Sequence, residues 1–371
     1  MNRPIAFLTP YTNLENPYIA LQRDLLAELG FDVRPLSLKA VLAGQCMGLS
    51  DPQNVVLVHW LENRLFKVGK ARRGLSAKGA AQFAIYAAIL RTARARTVYF
   101  VHDHAVHDVK PALRTLSQKA IALLRGSADI RVVHDPTFEQ RYDARYLPHP
   151  LYWDQPAAAA AAAALPHVGT ATPRFAIMGA LRPYKEIDKV LEQWPVGAPL
   201  LIAGRGDDSY VALLRDIIRR RGLRDSVELI ARFLTDDEFS SLLQQRDVLI
   251  LPHRLDANLV SGAFFAGIGQ VPVILAREAP FVAWVKQRVP GIYSFAHDAE
   301  LPSRVSEISA DWAELARSDS RAAARQEFGW QACLDAYGQL LGVGLRRADI
   351  ADVNAAASTH QTAEASSAGR C

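Results

Sequence analysis

Short, wholly apolar segments alternate with helix-like segments along this chain, in two series parted by a proline- and alanine-rich joint. In the first series Ile5–Thr9, Phe31–Leu36, Asn54–His59, Thr97–Val101 and Asp129–Val133 read as strands, with helices over Tyr18–Leu29, Ala77–Arg94 and Ala112–Leu124. Pro17 suits a first helical turn, and Gly30 a position just past a helix end. The second series places strands at Arg174–Met178, Pro199–Ala203, Val227–Ile230, Asp247–Leu251 and Val271–Leu275. Helices are expected from Lys185 onward, over Asp208–Arg221, Asp236–Gln244 and Val260–Ile268. A strand apolar along its whole length is buried on both faces, which requires a parallel sheet covered by helices on either side. The expectation is an α/β chain with two Rossmann-like, doubly wound parallel-sheet domains facing a central cleft. Ligands then meet the carboxyl ends of the strands.

The joint holds Pro148, Pro150, Pro156, the run Ala157–Ala164 and Pro166. It divides the chain into a first domain over 1–150, a linker over 151–173 and a second domain over 174–328. A terminal helix is expected over 329–347, and a disordered tail rich in Ala, Ser and Thr over 348–371. The 371 residues suit two domains of ordinary size. Three cysteines (Cys46, Cys333, Cys371) lack metal-finger spacing and offer no disulfide framework. No apolar run approaches the ~20 residues of a membrane-spanning helix. Ile5–Leu8 is too short for a signal-peptide core, so a cytoplasmic protein is expected. Between Asn63 and Arg96 stand nine basic residues (Arg64, Lys67, Lys70, Arg72, Arg73, Lys78, Arg91, Arg94, Arg96) and no acidic one. Such a block fits an anionic partner, either membrane headgroups or phosphate, or else a plain solvated face. Nucleic acid is disfavoured, because aromatics are not interleaved with the basic run and no binding module is recognisable.

The chemistry-bearing residues fall at strand ends. In the second half, Gly179-Ala180-Leu181-Arg182-Pro183-Tyr184-Lys185 leads from a strand into a helix. Arg182 and Lys185 there suit a pyrophosphate, held by charge and by the helix N-terminus. Gly204 and Gly206 follow the next strand and permit close backbone approach to a ligand. His253 ends a strand facing the cleft. Ser261 and Gly262 stand at a helix start, where N–H groups can grip phosphate or Ser261 can simply cap. No GxGxxG opens the first strand-helix unit, which argues against a dehydrogenase. In the first half, His102-Asp103-His104-Ala105-Val106-His107-Asp108 ends a strand. His102, His104, His107 and Asp108 are metal-capable types, but neighbouring loop histidines seldom converge on one ion, and no metal site is expected.

The order G-x-L-R-P-Y-K, then A-G-x-G, then L-P, a small-residue helix and G-x-x-P-V-I resembles the C-terminal domain of GT-B glycosyltransferases. The resemblance implies that Arg182 and Lys185 neutralise a donor diphosphate, with Ser261 and Gly262 beside the phosphates. The retaining group of that superfamily carries two glutamates eight residues apart. Registered on Pro272, those positions here are Ala257 and Phe265, neither of them acidic. The first half adds Asn16-Pro17-Tyr18, His59-Trp60-Leu61-Glu62 and the His102–Asp108 cluster. With these, roughly residues 5 to 340 resemble the inverting β-mannosyltransferase of xanthan-type exopolysaccharide assembly. Trp330 and its helix suit the terminal helix by which GT-B chains cross back to the first domain.

That resemblance implies GDP-mannose as donor and a polyprenyl-diphosphate-linked oligosaccharide as acceptor, with Asn16, Tyr18, His59, Trp60 and His102 on the acceptor side. An inverting transfer needs a base for the acceptor hydroxyl and positive charge for the leaving diphosphate. Arg182, Lys185 and helix N–H groups meet the second need, so no metal or other cofactor is expected beyond the nucleotide-sugar co-substrate. Asp103 is the first choice of base, by analogy with an Asp in a similar glucuronosyltransferase. The mannosyltransferase pattern has Asn there, which keeps His107, Asp108 and Glu62 as alternatives. The basic 63–96 segment would hold the protein on the cytoplasmic face of an anionic inner membrane, with Leu65, Phe66 and Leu75 dipping in. A retaining transferase without the glutamate pair, and an inactive sugar-nucleotide-binding protein, are the competing readings.

Overall fold

A computed structural model describes residues 3–13, 17–67, 74–106, 109–155, 172–253 and 259–343. Asn16, His107, Asp108, the alanine run, Ala257 and the 348–371 segment lie outside the described residues.

The first sheet comprises β1 (Ile5–Thr9), β2 (Asp32–Pro35), β3 (Val55–His59), β6 (Arg96–Phe100), β7 (Ile130–Val133) and β8 (Arg145–Tyr146). Between β3 and β6 runs a two-stranded antiparallel hairpin of β4 (Phe66–Lys67) and β5 (Gly74–Leu75). The second sheet comprises β9 (Phe175–Met178), β10 (Leu200–Ala203), β11 (Val227–Ile230), β12 (Val248–Leu251), β13 (Val273–Arg277) and β14 (Ile292–Phe295). Each sheet is six-stranded, in the orders β2-β1-β3-β6-β7-β8 and β11-β10-β9-β12-β13-β14, and every pair within them is parallel. The wholly apolar strands account for this: β3, β9, β10, β12 and β13 are buried along their full lengths. Each sheet is covered on both faces, giving two apolar layers per domain.

The strand orders fix where ligands fit. Strand order reverses between β1 and β3 in the first sheet, and between β9 and β12 in the second. The crevice at each reversal opens at the carboxyl ends of the strands. Tyr18 follows β1 and His59 ends β3; Lys185 follows β9 and His253 follows β12. The sequence motifs therefore flank both crevices.

The chain returns to the first domain through the Trp330–Leu341 helix. Its Trp330, Leu334, Tyr337 and Leu341 pack with Leu21, Leu25 and Leu29 around the Tyr18–Glu28 helix. Leu65 and Phe66, expected to reach toward a membrane, are instead buried in the first domain's core; Leu75 is half-exposed. These two apolar side chains fill the space beneath the Ala77–Thr92 helix rather than facing solvent. Among the described residues no helix is long and apolar enough to cross a membrane.

Candidate functional site

A Val-His pair stands at or just past the carboxyl end of three neighbouring strands of the first sheet: Val58-His59, Val101-His102 and Val133-His134. Their imidazoles lie on one face of the sheet, with His149 from the segment after β8, and all four are buried. Tyr18 stands among them, with ring centroids 4.8–5.6 Å from each. His134 Nδ1 lies 2.9 Å from the Leu147 carbonyl, which can only accept, so Nδ1 carries the proton. His134 Nε2 is then the acceptor of the Tyr18 hydroxyl, at 2.7 Å. His149 Nδ1 likewise donates to the Pro150 carbonyl at 2.9 Å. His59 Nδ1 and His102 Nε2 are 2.9 Å apart, and Trp60 stacks on the His102 ring at 4.1 Å.

Burial, reinforced by neighbouring imidazoles, holds His59, His102 and His149 well below the ordinary histidine range. His134 is pushed down to about 4, by burial. Four neutral imidazoles in one apolar layer are poor proton acceptors. Tyr18, at 1 % exposure, has its hydroxyl bonded to His134 and beside that of Tyr337, and forms the floor of the crevice rather than an open contact surface. Trp60 is only partly buried. Its backbone is left-handed (φ 49°), which turns the chain sharply out of β3 and lays the indole over His102.

The carboxylates stand on the other face of the sheet. Glu62 is buried and accepts from the Tyr99 hydroxyl at 2.8 Å. Burial, then the Glu62 charge, raises the Tyr99 hydroxyl well above its usual range. Asp103 is 5 % exposed on the loop leaving β6. His104 turns away from His102 to meet the Tyr142 hydroxyl. His102 and His104 thus diverge, and among the described residues no three His, Cys, Asp or Glu are arranged to hold a metal ion.

In the second domain the loops after β9 and β10 are fastened together. Leu181 pairs with Gly206, and its N–H reaches the Arg205 carbonyl at 2.8 Å. A Cβ at Gly204 (φ 150°) would stand 1.9 Å from the Gly179 carbonyl oxygen, so this glycine serves loop-to-loop packing. The Lys185 ammonium lies over Gly179, 3.1 Å from where a Cβ would be. Lys185 is 8 % exposed, and burial lowers it to about 8. No carboxylate among the described residues forms an ion pair with it. Arg182 points outward and pairs with the exposed Asp207.

The helix after Lys185 begins at Ile187, and the Tyr210 hydroxyl takes its first N–H groups, from Ile187 at 3.1 Å and Asp188 at 3.3 Å. The first N–H groups of this helix, expected to grip a phosphate, are therefore already taken. Ser261 precedes the Gly262–Gly267 helix without a side-chain capping bond. His253 is buried, with its ring edge-on to Tyr184 at 6.3 Å.

The two domains meet at these loops. Leu259 N–H donates to the His102 carbonyl at 3.0 Å, and Trp153 of the linker packs into the second domain's core, its Nε1 donating to the Ile268 carbonyl at 2.9 Å. Phe265 stacks on His149 at 4.0 Å with planes 6° apart.

Sequence reasoning passed over His134, His149, Asp135 and Arg277. The first and third were legible: His134-Asp135 after β7 repeats His102-Asp103 after β6. Asp135 is 1 % exposed and accepts from the Thr137 N–H and hydroxyl at 2.9 and 2.6 Å.

No protein-family description matches the chain, and no curated protein does. Solved structures do. Anabaena Alr3699/HepE, in complex with UDP and glucose, aligns at TM-score 0.57 and 16% identity, over 92% of this chain and 100% of that one. A glycosyltransferase from Rickettsia africae aligns at 0.57 and 10%, over 92% and 98%. The lipopolysaccharide outer core galactosyltransferase WaaB, in its apo form, aligns at 0.53 and 9%, over 90% and 98%. With two parallel-sheet domains matched almost end to end by these proteins, the chain has the GT-B glycosyltransferase fold.

Proposed function

We propose that this chain transfers a hexose from a nucleotide-sugar to an acceptor alcohol, with inversion and without a metal. The observation that carries the reading is Lys185: a buried ammonium with no carboxylate paired to it among the described residues, at the strand-order reversal of the second sheet. Such a cation costs stability until an anion arrives, and a departing diphosphate supplies one. Arg182 adds charge at the rim once Asp207 yields it. UDP and glucose in the HepE complex support a nucleotide-sugar as the donor class.

Across the cleft, Asp103 takes the acceptor proton as the nucleotide leaves from the opposite face of the sugar, while Trp60 stacked on His102 supplies a flat apolar wall for the acceptor. Glu62 is the alternative base; its bond to Tyr99 places it deeper. Inversion is supported by Phe265, an aromatic in the position of one of the retaining group's acids. GDP-mannose as donor and a polyprenyl-diphosphate-linked acceptor, in exopolysaccharide assembly, are the specific substrates of this reading.

A lipid-linked acceptor calls for a membrane-facing surface. The Ala77–Thr92 helix has no acidic residue, and its outer side exposes Ala81, Ala84, Ile85 and Ala88 between Lys78 and Arg91. The adjacent Arg114–Ser127 helix exposes Leu116 and Leu123 beside Arg114 and Lys119. Basic residues around an apolar outer face fit an anionic bilayer. Of the 63–96 segment, Lys70, Arg72 and Arg73 lie outside the described residues.

Radiolabel transfer from GDP-mannose and UDP-glucose to a membrane extract tests the reading. Transfer is expected from one of them, with inverted anomeric configuration by NMR; folded protein that transfers from no nucleotide-sugar defeats it. Asp103→Asn should lower turnover by about 10²-fold or more while donor binding persists. Full activity in that variant would move the base to Glu62 or to His107 and Asp108.

A further inference from the structure

Arg277 ends β13, is 8 % exposed, and is used by none of the chemistry above. Its guanidinium reaches four acceptors on three separate segments. Nε donates to the Pro252 carbonyl at 2.7 Å, and Nη1 to the Ala296 carbonyl at 3.3 Å. Nη2 meets Asp298 and, at 3.1 Å, Glu186 Oε2. Pro252 follows β12, Ala296 and Asp298 follow β14, and Glu186 belongs to the turn after β9. One buried cation therefore joins the strand-end loops that surround the crevice of the second sheet.

Glu186 is the informative partner. It is a non-glycine residue in the left-handed region (φ 54°, ψ 33°), a conformation that persists only where the surroundings enforce it. Its other carboxylate oxygen holds Lys189 at 2.6 Å, so the side chain is gripped by cations from both directions. The residue immediately before it is Lys185. A left-handed residue reverses the chain direction, and this reversal lets Lys185 run inward over Gly179 instead of out into water, as a lysine of a short surface turn would.

We infer that Arg277 is a positioning residue for the donor cation: by holding Glu186 in its left-handed turn and away from Lys185, it keeps that ammonium both aimed at the crevice and unneutralised. The inference rests on the donor-site reading of Lys185. Without Arg277, Glu186 keeps its negative charge one residue from Lys185 but loses its anchor. Two losses follow together: the turn relaxes, and the carboxylate becomes an internal competitor for the phosphate-binding cation.

The test is a coupling measurement. Isothermal titration with GDP and with UDP identifies the nucleotide that wild type binds, and the same probe is then used on every variant. Arg277→Met should weaken it about tenfold or more, and adding Glu186→Gln should recover most of that loss, because the competing charge is removed. In a Lys185→Met background the Arg277→Met change should have little further effect, within about twofold. A merely structural Arg277 would weaken binding by the same factor whether or not Lys185 is present, and Glu186→Gln would not restore it; either result overturns the inference. Should Arg277→Met fail to fold, Arg277→Lys keeps the charge but cannot span four acceptors, and the same rescue by Glu186→Gln is expected of it. Wild-type protein that binds neither nucleotide overturns the donor-site reading and this inference with it. Binding with additive Arg277 and Lys185 effects overturns this inference alone.

Discussion

Lys185 carries opposing demands, and its titration makes them measurable. The side chain is buried, and burial lowers it to about 8 from an unfolded value near 10.5. The unfolded chain thus binds more protons than the folded one between those two values, and stability rises with pH across that window. Below it the cost of the buried charge is fully present, about 3 kcal/mol from the size of the shift. Lys185→Met should therefore unfold at higher urea than wild type at pH 7, with the difference closing as pH approaches 10. The same variant should lose nucleoside-diphosphate binding. In wild type, affinity for the diphosphate should fall as pH rises through about 8, because the free site must take up a proton to bind the anion; Lys185→Met should abolish that slope. A pH-independent affinity in titrations from pH 6.5 to 9 would exclude Lys185 as the cation. The sequence pointed to Lys185 as a charge in a turn, but nothing in its neighbours shows that the side chain runs inward. That depends on Glu186, whose left-handed backbone is set by Arg277 from 91 positions further along the chain.

At the scale of elements, the first domain is fastened where its helices meet the strand ends. Gln22 Nε2 donates to the Tyr337 hydroxyl at 2.8 Å, and Tyr18, one helical turn earlier, donates to His134. His134 in turn donates to Leu147, so the first helix, β7 and the segment after β8 form one hydrogen-bonded chain. Tyr18→Phe should cost about 1–3 kcal/mol in urea unfolding, the penalty for leaving the His134 lone pair buried and unmet. His134→Ala should cost more, since it adds a cavity and removes the donor to the Leu147 carbonyl. Equal stability of Tyr18→Phe and wild type would contradict the proton arrangement given for His134. These strands were legible because wholly apolar runs have few alternatives to a covered parallel sheet; Val55–His59 and Val248–Leu251 lie within a residue of expectation. The elements left unassigned, such as β8 and β14, are short and partly polar, and only pairing with a neighbouring strand defines them. The phosphate grip expected of the helix after Lys185 failed for a similar reason: the Tyr210 hydroxyl that fills it comes from the next helix.

For the whole molecule, the meeting of the two lobes decides which chemistry is open. Phe265 is buried with Phe264, Phe281 and Phe328 around it and lies flat on His149 of the other lobe. A carboxylate there would be desolvated on every side. Phe265→Glu should destabilise the protein by more than about 3 kcal/mol in urea unfolding and should not yield a retaining transferase. A stable Phe265→Glu protein forming product of retained configuration would overturn the assignment of inversion. The two-lobed plan was readable from the paired series of strands and helices, whereas the lobe contacts were not, because they join residues such as His149 and Phe265 that stand far apart in the sequence. One of those contacts differs in kind from the rest. Leu259 and His102 meet through main-chain atoms, which every amino acid except proline supplies alike. Side chains lining the crevice can therefore be exchanged in the course of descent while the lobes keep the same registration against each other.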